Sequence, residues 1–294
     1  MGGPSYYDNN VVRALWESGH FVLFCFSSFY LYTYSKLNRI DEIKRLILIL
    51  GILFVAGFMA EVIQLFVGRD FEAKDLLNNL FGIVAGLLIS YLRLKTHTGR
   101  TVLLWLLVVL LTFFSQRQLL STIAQEVRLR QDFPVLSDFE TSSQLERWMS
   151  DQGDLARLSI SDSNAKDGSF SMCVELLPGK YPGITLKRLN RNWQDYQFIK
   201  LSIYLDEAHL LNLAIKVYDR QHPNSGYDYS DRFNGTLSLS PGWNDFSLPM
   251  HSIQNAPTGR TMNMRRIVSL SLFAVDLKQP VTFYLDSVQL AGRL

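Results

Sequence analysis

The sequence predicts an α-helical transmembrane bundle of four spans followed by an all-β jelly-roll sandwich. Three observations carry this reading. The chain has 294 residues, close to twice the usual single-domain length, so about two folding units are expected. Its 48% hydrophobic and 19% charged residues sit above a soluble average yet below that of a chain that is membrane throughout, so the average hides a mixture. The apolar pattern also changes kind: long runs crowd the first 115 residues, and short alternating ones follow residue 134. Aromatic content of 13% excludes disorder, and two cysteines exclude a disulfide-stapled scaffold. A formal charge of +2 gives no electrostatic basis for a nucleic-acid partner.

Residues 46–67 form a 22-residue run whose only charge is Glu61, and residues 76–92 carry none. At about 1.5 Å per residue each nearly spans a hydrocarbon core of roughly 30 Å. Residues 21–34 are aromatic-rich and reach spanning length by starting near Leu15, which takes in Glu17 and His20; residues 101–114 are short but wholly apolar. These two complete the four spans, the alternative for each being an interfacial or core helix. The loops at 35–45 and 93–100 hold Lys36, Arg39, Lys44, Arg45, Arg93, Lys95 and Arg100, seven basic residues in 19. The opposite segments, 1–14, 68–75 and 115–130, hold six in 38. By the positive-inside rule the denser loops are cytoplasmic, and both termini lie outside. No basic n-region or small-residue cleavage site accompanies the first apolar run, so the first helix is expected to stay as an anchor.

Residues 1–115 thus form the membrane domain, 116–133 a polar linker or stalk able to continue as helix, and 134–294 an extracytoplasmic β domain. Nine strands are expected at 158–161, 171–177, 184–188, 198–205, 211–218, 236–239, 245–248, 268–273 and 281–290. They are separated by turn signals such as Asp167-Gly168, Pro182-Gly183 and Pro241-Gly242. Period-two runs of this kind point to a sandwich or jelly roll. Residues 142–149 read as a short helix.

Polar groups inside the second and third spans carry the strongest chemical signal. Glu61 and Gln64 share a helix face, and Asp75, Asn78 or Asn79, Gly82 and Gly86 recur at helical spacing on the next span. Folding this hairpin brings Gln64 level with Asn79 and Glu61 level with Gly82. Gly82-x-x-x-Gly86 and Ala56-x-x-x-Ala60 would let those two backbones approach. An acidic side chain near a helix centre costs on the order of 2.5–3.5 kcal/mol, so Glu61 needs compensation. Arg69 at the mouth can answer Glu61 or Asp75, or meet an anionic headgroup; Asp75 can also favour its helix N-terminus. The stripe is therefore either a pocket for a lipid or glycolipid headgroup or a hydrogen-bonded lock between helices.

The string Glu61-x-x-Gln64, Arg69, Asp75, Asn78/Asn79, Gly82 and Gly86 between two apolar runs resembles the signature of VanZ-like membrane proteins over residues 10–115. The resemblance implies a bacterial inner-membrane protein with an envelope function; it supplies no reaction. The aspartate-rich stretch often seen after the arginine is reduced here to Asp70 and Asp75.

The second half resembles carbohydrate-binding, galactose-binding-like jelly rolls over about residues 134–292. The carrying residues are Asp138-Phe139-Glu140, Asp167-Gly168, Trp193, Tyr196, Asp231-Arg232-Phe233-Asn234, Pro241-Gly242-Trp243-Asn244 and Tyr284-Leu285-Asp286-Ser287-Val288. Such folds often join their first and last strands through a structural Ca²⁺, which implies ligands at Glu140, Asp286 and Asp138 with carbonyls near Gly168. The alternative is that Asp286 only caps a turn. In residues 218–233, Asp219, Tyr227, Tyr229, Asp231 and Arg232 offer aromatic faces for sugar rings and charged groups for hydroxyls. The alternative is that Asp231 with Arg232 is a structural pair; Trp193 and Trp243 read as core corners.

No catalytic pattern stands out: His20, His97, His209, His222 and His251 lack metal-ligand spacing, and there is no Gly-x-Ser-x-Gly. The expectation is a non-enzymatic envelope protein that binds a glycan or lipid-linked glycan. Its rivals are a membrane enzyme with Glu61 or Asp75 as acid/base, and helices that serve only as an anchor.

Overall fold

The structure, a computed structural model, describes residues 10–34, 36–66, 73–93, 99–151 and 153–293. It divides into two compact units, Met1–Glu126 and Val127–Leu294.

The first unit is helical: α1 (Asn10–Tyr34), a 3-10 turn (Lys36–Arg39), α2 (Glu42–Phe66), α3 (Ala73–Arg93) and α4 (Gly99–Asp132). Among the described residues, α2, α3 and α4 are long and apolar enough to cross a membrane. The 25-residue α1 is not among them; its first half carries Arg13, Glu17 and His20. The segment 116–132 continues the last apolar run without a break, giving one 34-residue helix. Val22, Leu23, Phe26, Ile47, Val55, Phe58, Leu103 and Val109 are all exposed, so the helical unit carries an apolar outer surface.

The small-residue stripe of α3 faces α1, not α2. A Cβ at Gly82 would stand 2.4 Å from the Phe21 carbonyl oxygen, and one at Gly86 2.1 Å from that of Cys25. Only glycine lets the two backbones lie so close. Ser90 on the same face donates to the carbonyls of Gly86 (2.9 Å) and Phe29 (3.3 Å). Ala56 is exposed and Ala60 half-buried, so the expected alanine stripe of α2 is not its contact. Its buried face is Ile49, Leu53, Gly57 and Glu61, four residues apart, and Gly57 meets Asn79. The α2–α3 register thus pairs Asn79 with the level of Gly57, where Gln64 was expected. Gln64 is half-buried.

The second unit is a sandwich of two antiparallel sheets. Its strands are β1 (Val135–Ser137), β2 (Trp148–Ser150), β3 (Ala156–Ser161), β4 (Ser171–Leu176), β5 (Gly183–Leu186), β6 (Tyr196–Leu205), β7 (Leu211–Asp219), β8 (Phe233–Leu239), β9 (Gly242–Pro249), β10 (Ile267–Phe273) and β11 (Val281–Arg293). One sheet runs β3-β4-β11-β6-β9, with β1 also on β11; the other runs β2-β5-β10-β7-β8. The nine expected strands are all present. The expected helix at 142–149 is shorter, α5 (Ser142–Leu145), because Trp148 is drawn into β2 opposite Leu186. There its ring is buried and its Nε1 donates to Ser137 Oγ at 2.9 Å. A further short helix, α6 (Met250–Gln254), follows β9.

Period two places the core. Along β7, Leu213, Ile215 and Val217 point inward and are buried, while Ala214, Lys216 and Tyr218 face out. Trp193, Phe139, Phe283 and Met172 fill the space between sheets. Trp193 is fully buried with Nε1 donating to the Asn190 carbonyl, as a core corner should be. Trp243 instead is half-buried on the outer face of its sheet, 5.5 Å from the Tyr204 ring.

Candidate functional site

Candidate sites lie in both units. In the sandwich, strand register builds a cleft on the outer face of the second sheet. Thr185, Ser271, Lys216 and Asn234 are consecutive cross-strand partners on β5, β10, β7 and β8, a polar row of which Lys216 and Asn234 line the cleft while Thr185 and Ser271 are buried. Thr185 donates to Asp151, and the Lys216 ammonium stands 4.0 Å from the same carboxylate. One wall is aromatic: Phe273 and Tyr181 meet edge to face at 6.2 Å. The other carries Tyr229 with the Arg232 guanidinium 5.1 Å above its ring. The enclosed volume is about 680 Å³. Burial holds Lys216 below the ordinary lysine value, with Asp151 pulling it partly back, and burial likewise lowers Arg232. Both cations are partly stripped of water, so a ligand oxygen displaces little hydration in reaching them.

Of the five residues expected to bind glycan, Tyr229 and Arg232 line this cleft. Asp219 and Asp231 are turned into the structure, where they grip Arg260. The guanidinium donates to both Asp219 oxygens at 2.8 and 2.9 Å, and its Nε and Nη2 donate to Asp231. Asp219 also accepts from the Asn263 backbone N–H at 2.7 Å and is fully buried. The Arg260 hydrogen bonds lower the Asp231 pKa to about 2 and raise that of Arg260. Tyr227 is exposed, with its ring edge on His222 at 5.5 Å. The clamp fixes the loop that carries Tyr229 and Arg232. Sequence reasoning missed Asp151, Tyr181, Lys216, Asn234 and Phe273; the alternation of β7 already placed Lys216 outward, but nothing local paired it with Asp151.

The expected calcium ligands all bind backbone N–H groups. Glu140 Oε1 accepts from Ser169 and Phe170, Asp286 Oδ2 from Lys166 and Asp167, Asp286 Oδ1 from Ser287, and Asp138 Oδ1 from Glu140. Glu140 and Asp286 thus hold the 166–170 turn directly. Gly168 has φ +73°, and a Cβ there would lie 2.4 Å from Glu140 Oε1. Asp286 occupies the point where β11 shifts register, next to Ser287 at φ +52°. Glu140 Oε1 and Asp286 Oδ2 each accept two N–H bonds, which uses both lone pairs, so any cation there would have to be met by the other carboxylate oxygens. Burial raises the Asp286 pKa, offset by its three N–H donors.

In the helical unit the polar stripe converges on a histidine that sequence reasoning passed over. His20 Nδ1 lies 3.1 Å from Asn79 Oδ1 and 4.0 Å from Glu61 Oε1, and its Nε2 lies 3.7 Å from Asp75 Oδ2. Glu61 and Asn79 are fully buried, and Asp75 is 5% exposed. Asn78 is buried too, accepting from Ser115 Oγ at 3.0 Å, which ties α3 to α4. Nearby, Glu17 accepts from Lys74 Nζ (3.1 Å) and Gln118 Nε2 (2.8 Å), tying α1 to both. Gly82 belongs to the α1 contact rather than to this cluster. Arg69 lies outside the described residues.

A scan of protein-family models matches none to this chain, and a search of curated proteins finds no match. Among solved structures, the chain is similar to a family 11 carbohydrate-binding module from Clostridium thermocellum in complex with a β-1,3-1,4-mixed-linked tetrasaccharide. Identity is 18%, coverage 54% of this chain and 95% of that one, and the TM-score 0.42. A family 30 carbohydrate-binding module from the same organism matches at 11% identity over 50% and 91%, with TM-score 0.39. An exo-β-agarase matches at 14% identity over 54% of this chain and 25% of its own, with TM-score 0.44.

Proposed function

We propose that this chain is a multi-pass protein of the bacterial inner membrane whose sandwich, on the extracytoplasmic side, binds an envelope glycan in the cleft. The carrying observation is the cleft itself: aromatic walls at Tyr181, Phe273 and Tyr229 flank a row of polar groups and two partly desolvated cations. Sugar rings offer C–H faces that pack on aromatics and hydroxyls that need paired donors and acceptors, and this lining supplies both. The proposal keeps α1 as a fourth span, since it packs along α3 through Gly82 and Gly86. It also keeps the VanZ-like resemblance, which rests on the residues quoted for it. A lipid or glycolipid headgroup at the intramembrane stripe draws on Arg69; the described groups there are two carboxylates, an imidazole and two amides, which suit a cation better. Calcium at Asp138, Glu140 and Asp286 is part of the proposal as a support of the 166–170 turn.

The test is a glycan array probed with the full chain in detergent, followed by calorimetry on the best ligand. Tyr181→Ala and Lys216→Met should each weaken binding about tenfold, or 1.4 kcal/mol. Absence of binding to every envelope polysaccharide, or binding indifferent to both substitutions, removes the reading. Labelling of a cysteine placed at Lys200 from one side of intact cells decides the topology.

A further inference from the structure

We propose that His20, Glu61 and Asp75 form a binding site for a divalent transition-metal ion of the zinc or manganese class. Among the described residues these three offer one ligand atom each, all within 4.8 Å of one another. They come from three helices, α1, α2 and α3. An imidazole and two carboxylates make a mixed nitrogen and oxygen set suited to zinc or manganese rather than to calcium, which takes oxygen alone.

The hydrogen bonds argue for an ion in the same place. His20 Nδ1 is 3.1 Å from the side-chain oxygen of Asn79, which can only accept, so Nδ1 carries the proton in that bond. In the neutral ring the lone pair is then on Nε2, and Nε2 faces Asp75 Oδ2 at 3.7 Å. A lone pair opposing a carboxylate is unfavourable, and a metal ion between them relieves it. Ligands held at about 2.1 Å from a tetrahedral ion lie roughly 3.4 Å apart, so the 3.7 Å His20–Asp75 separation needs little closing and the full set, within 4.8 Å, contracts on binding. Asp75 Oδ1 is buried and has no hydrogen-bond partner among the described residues. The contact from Asn79 is the outer-shell support that orients a metal-bound imidazole. Gly57 makes that contact possible, because a Cβ there would press to 2.9 Å on the Asn79 amide nitrogen. This site is independent of glycan binding in the sandwich.

The experiment uses the full chain, tag removed, in detergent. It is stripped with EDTA, reloaded separately with Zn²⁺ and Mn²⁺, desalted and assayed by mass spectrometry of the metals. Wild type should retain about one ion per chain. His20→Gln, Glu61→Gln and Asp75→Asn should each abolish retention, and Asn79→Ala should weaken affinity at least tenfold. Cobalt loading should give a visible absorption band that His20→Gln shifts or removes. Two results overturn the proposal: wild type that retains no ion after reloading, or retention unchanged in the ligand variants. The first leaves a hydrogen-bonded lock between helices as the account of the cluster. The wild-type result stands whether or not a variant folds.

Discussion

Arg260 and Asp219 are joined by two parallel hydrogen bonds, Nη1 to Oδ2 at 2.8 Å and Nη2 to Oδ1 at 2.9 Å, across 41 residues of chain. The same guanidinium reaches Asp231 at the far end of the loop that carries Tyr229 and Arg232. One side chain therefore anchors both ends of a cleft wall.

Removing that side chain leaves Asp219 as a buried carboxylate with only the Asn263 N–H and the Gln221 N–H to answer it. Arg260→Ala should destabilise the sandwich by about 3 kcal/mol. Arg260→Lys should recover only part of this, because an ammonium cannot reproduce the paired geometry. Urea unfolding followed by tryptophan fluorescence measures both, and equal stability of the two variants would contradict the bidentate account.

Acidification should weaken the sandwich in two stages. Burial holds the His222 pKa below its ordinary 6.5, so the unfolded chain takes up a proton that the folded one refuses, and stability falls as pH drops below that value. Asp231, depressed from 3.8 to about 2, contributes stability that is complete above the unfolded value and is lost as pH falls toward about 2. Asp286 runs oppositely, since burial raises its pKa and protonation relieves a buried charge. Melting temperatures from pH 7 to 2 for wild type and His222→Gln should show the upper stage vanish in the variant.

Close packing of α1 on α3 makes Gly86→Leu disruptive: its Cβ alone would collide with the Cys25 carbonyl and with Ser28 Oγ at 2.2 Å. Gly51, which has nothing within 4 Å of a built Cβ, is the matched control on α2. In detergent, Gly86→Leu should lose its monodisperse elution peak while Gly51→Leu keeps it.

Asp286→Asn replaces one of two oxygens that accept from backbone N–H groups with an NH2 donor that faces such a group, and should lower the melting temperature of the sandwich. Added calcium should raise the wild-type melting temperature by less than that substitution lowers it, because the N–H donors already anchor the turn. Differential scanning calorimetry in calcium and in EDTA gives both numbers.

Much of the fold was legible because long apolar runs and period-two alternation are local signals. The nine strands carry five or more alternating residues or a turn mark at their ends, whereas β1 and β2 are three residues each and exist through their partners. Trp148 shows the limit: spacing placed it on a helix, and pairing with Leu186 placed it in a sheet. For Gly82 and Gly86 the stripe was visible but not its partner, since smallness says that a neighbour approaches, not which one. Glu61, Asp75 and Asn79 could be read as meeting because lone polar groups in apolar spans must be answered. His20 could not, because it lies on α1 at a distance of 59 residues from Asn79 and nothing local aims it there. Arg260 gave no local sign at all.

The lining of the cleft sets two cations, Lys216 and Arg232, against one acid, Asp151. An uncharged polysaccharide would ignore that surplus, whereas a uronic-acid polymer would feel it within about 8 Å at physiological ionic strength. Grip on such a polymer would slacken as the surroundings turn brackish and tighten on dilution, because mobile ions, and not the hydroxyl contacts, set the reach of that surplus.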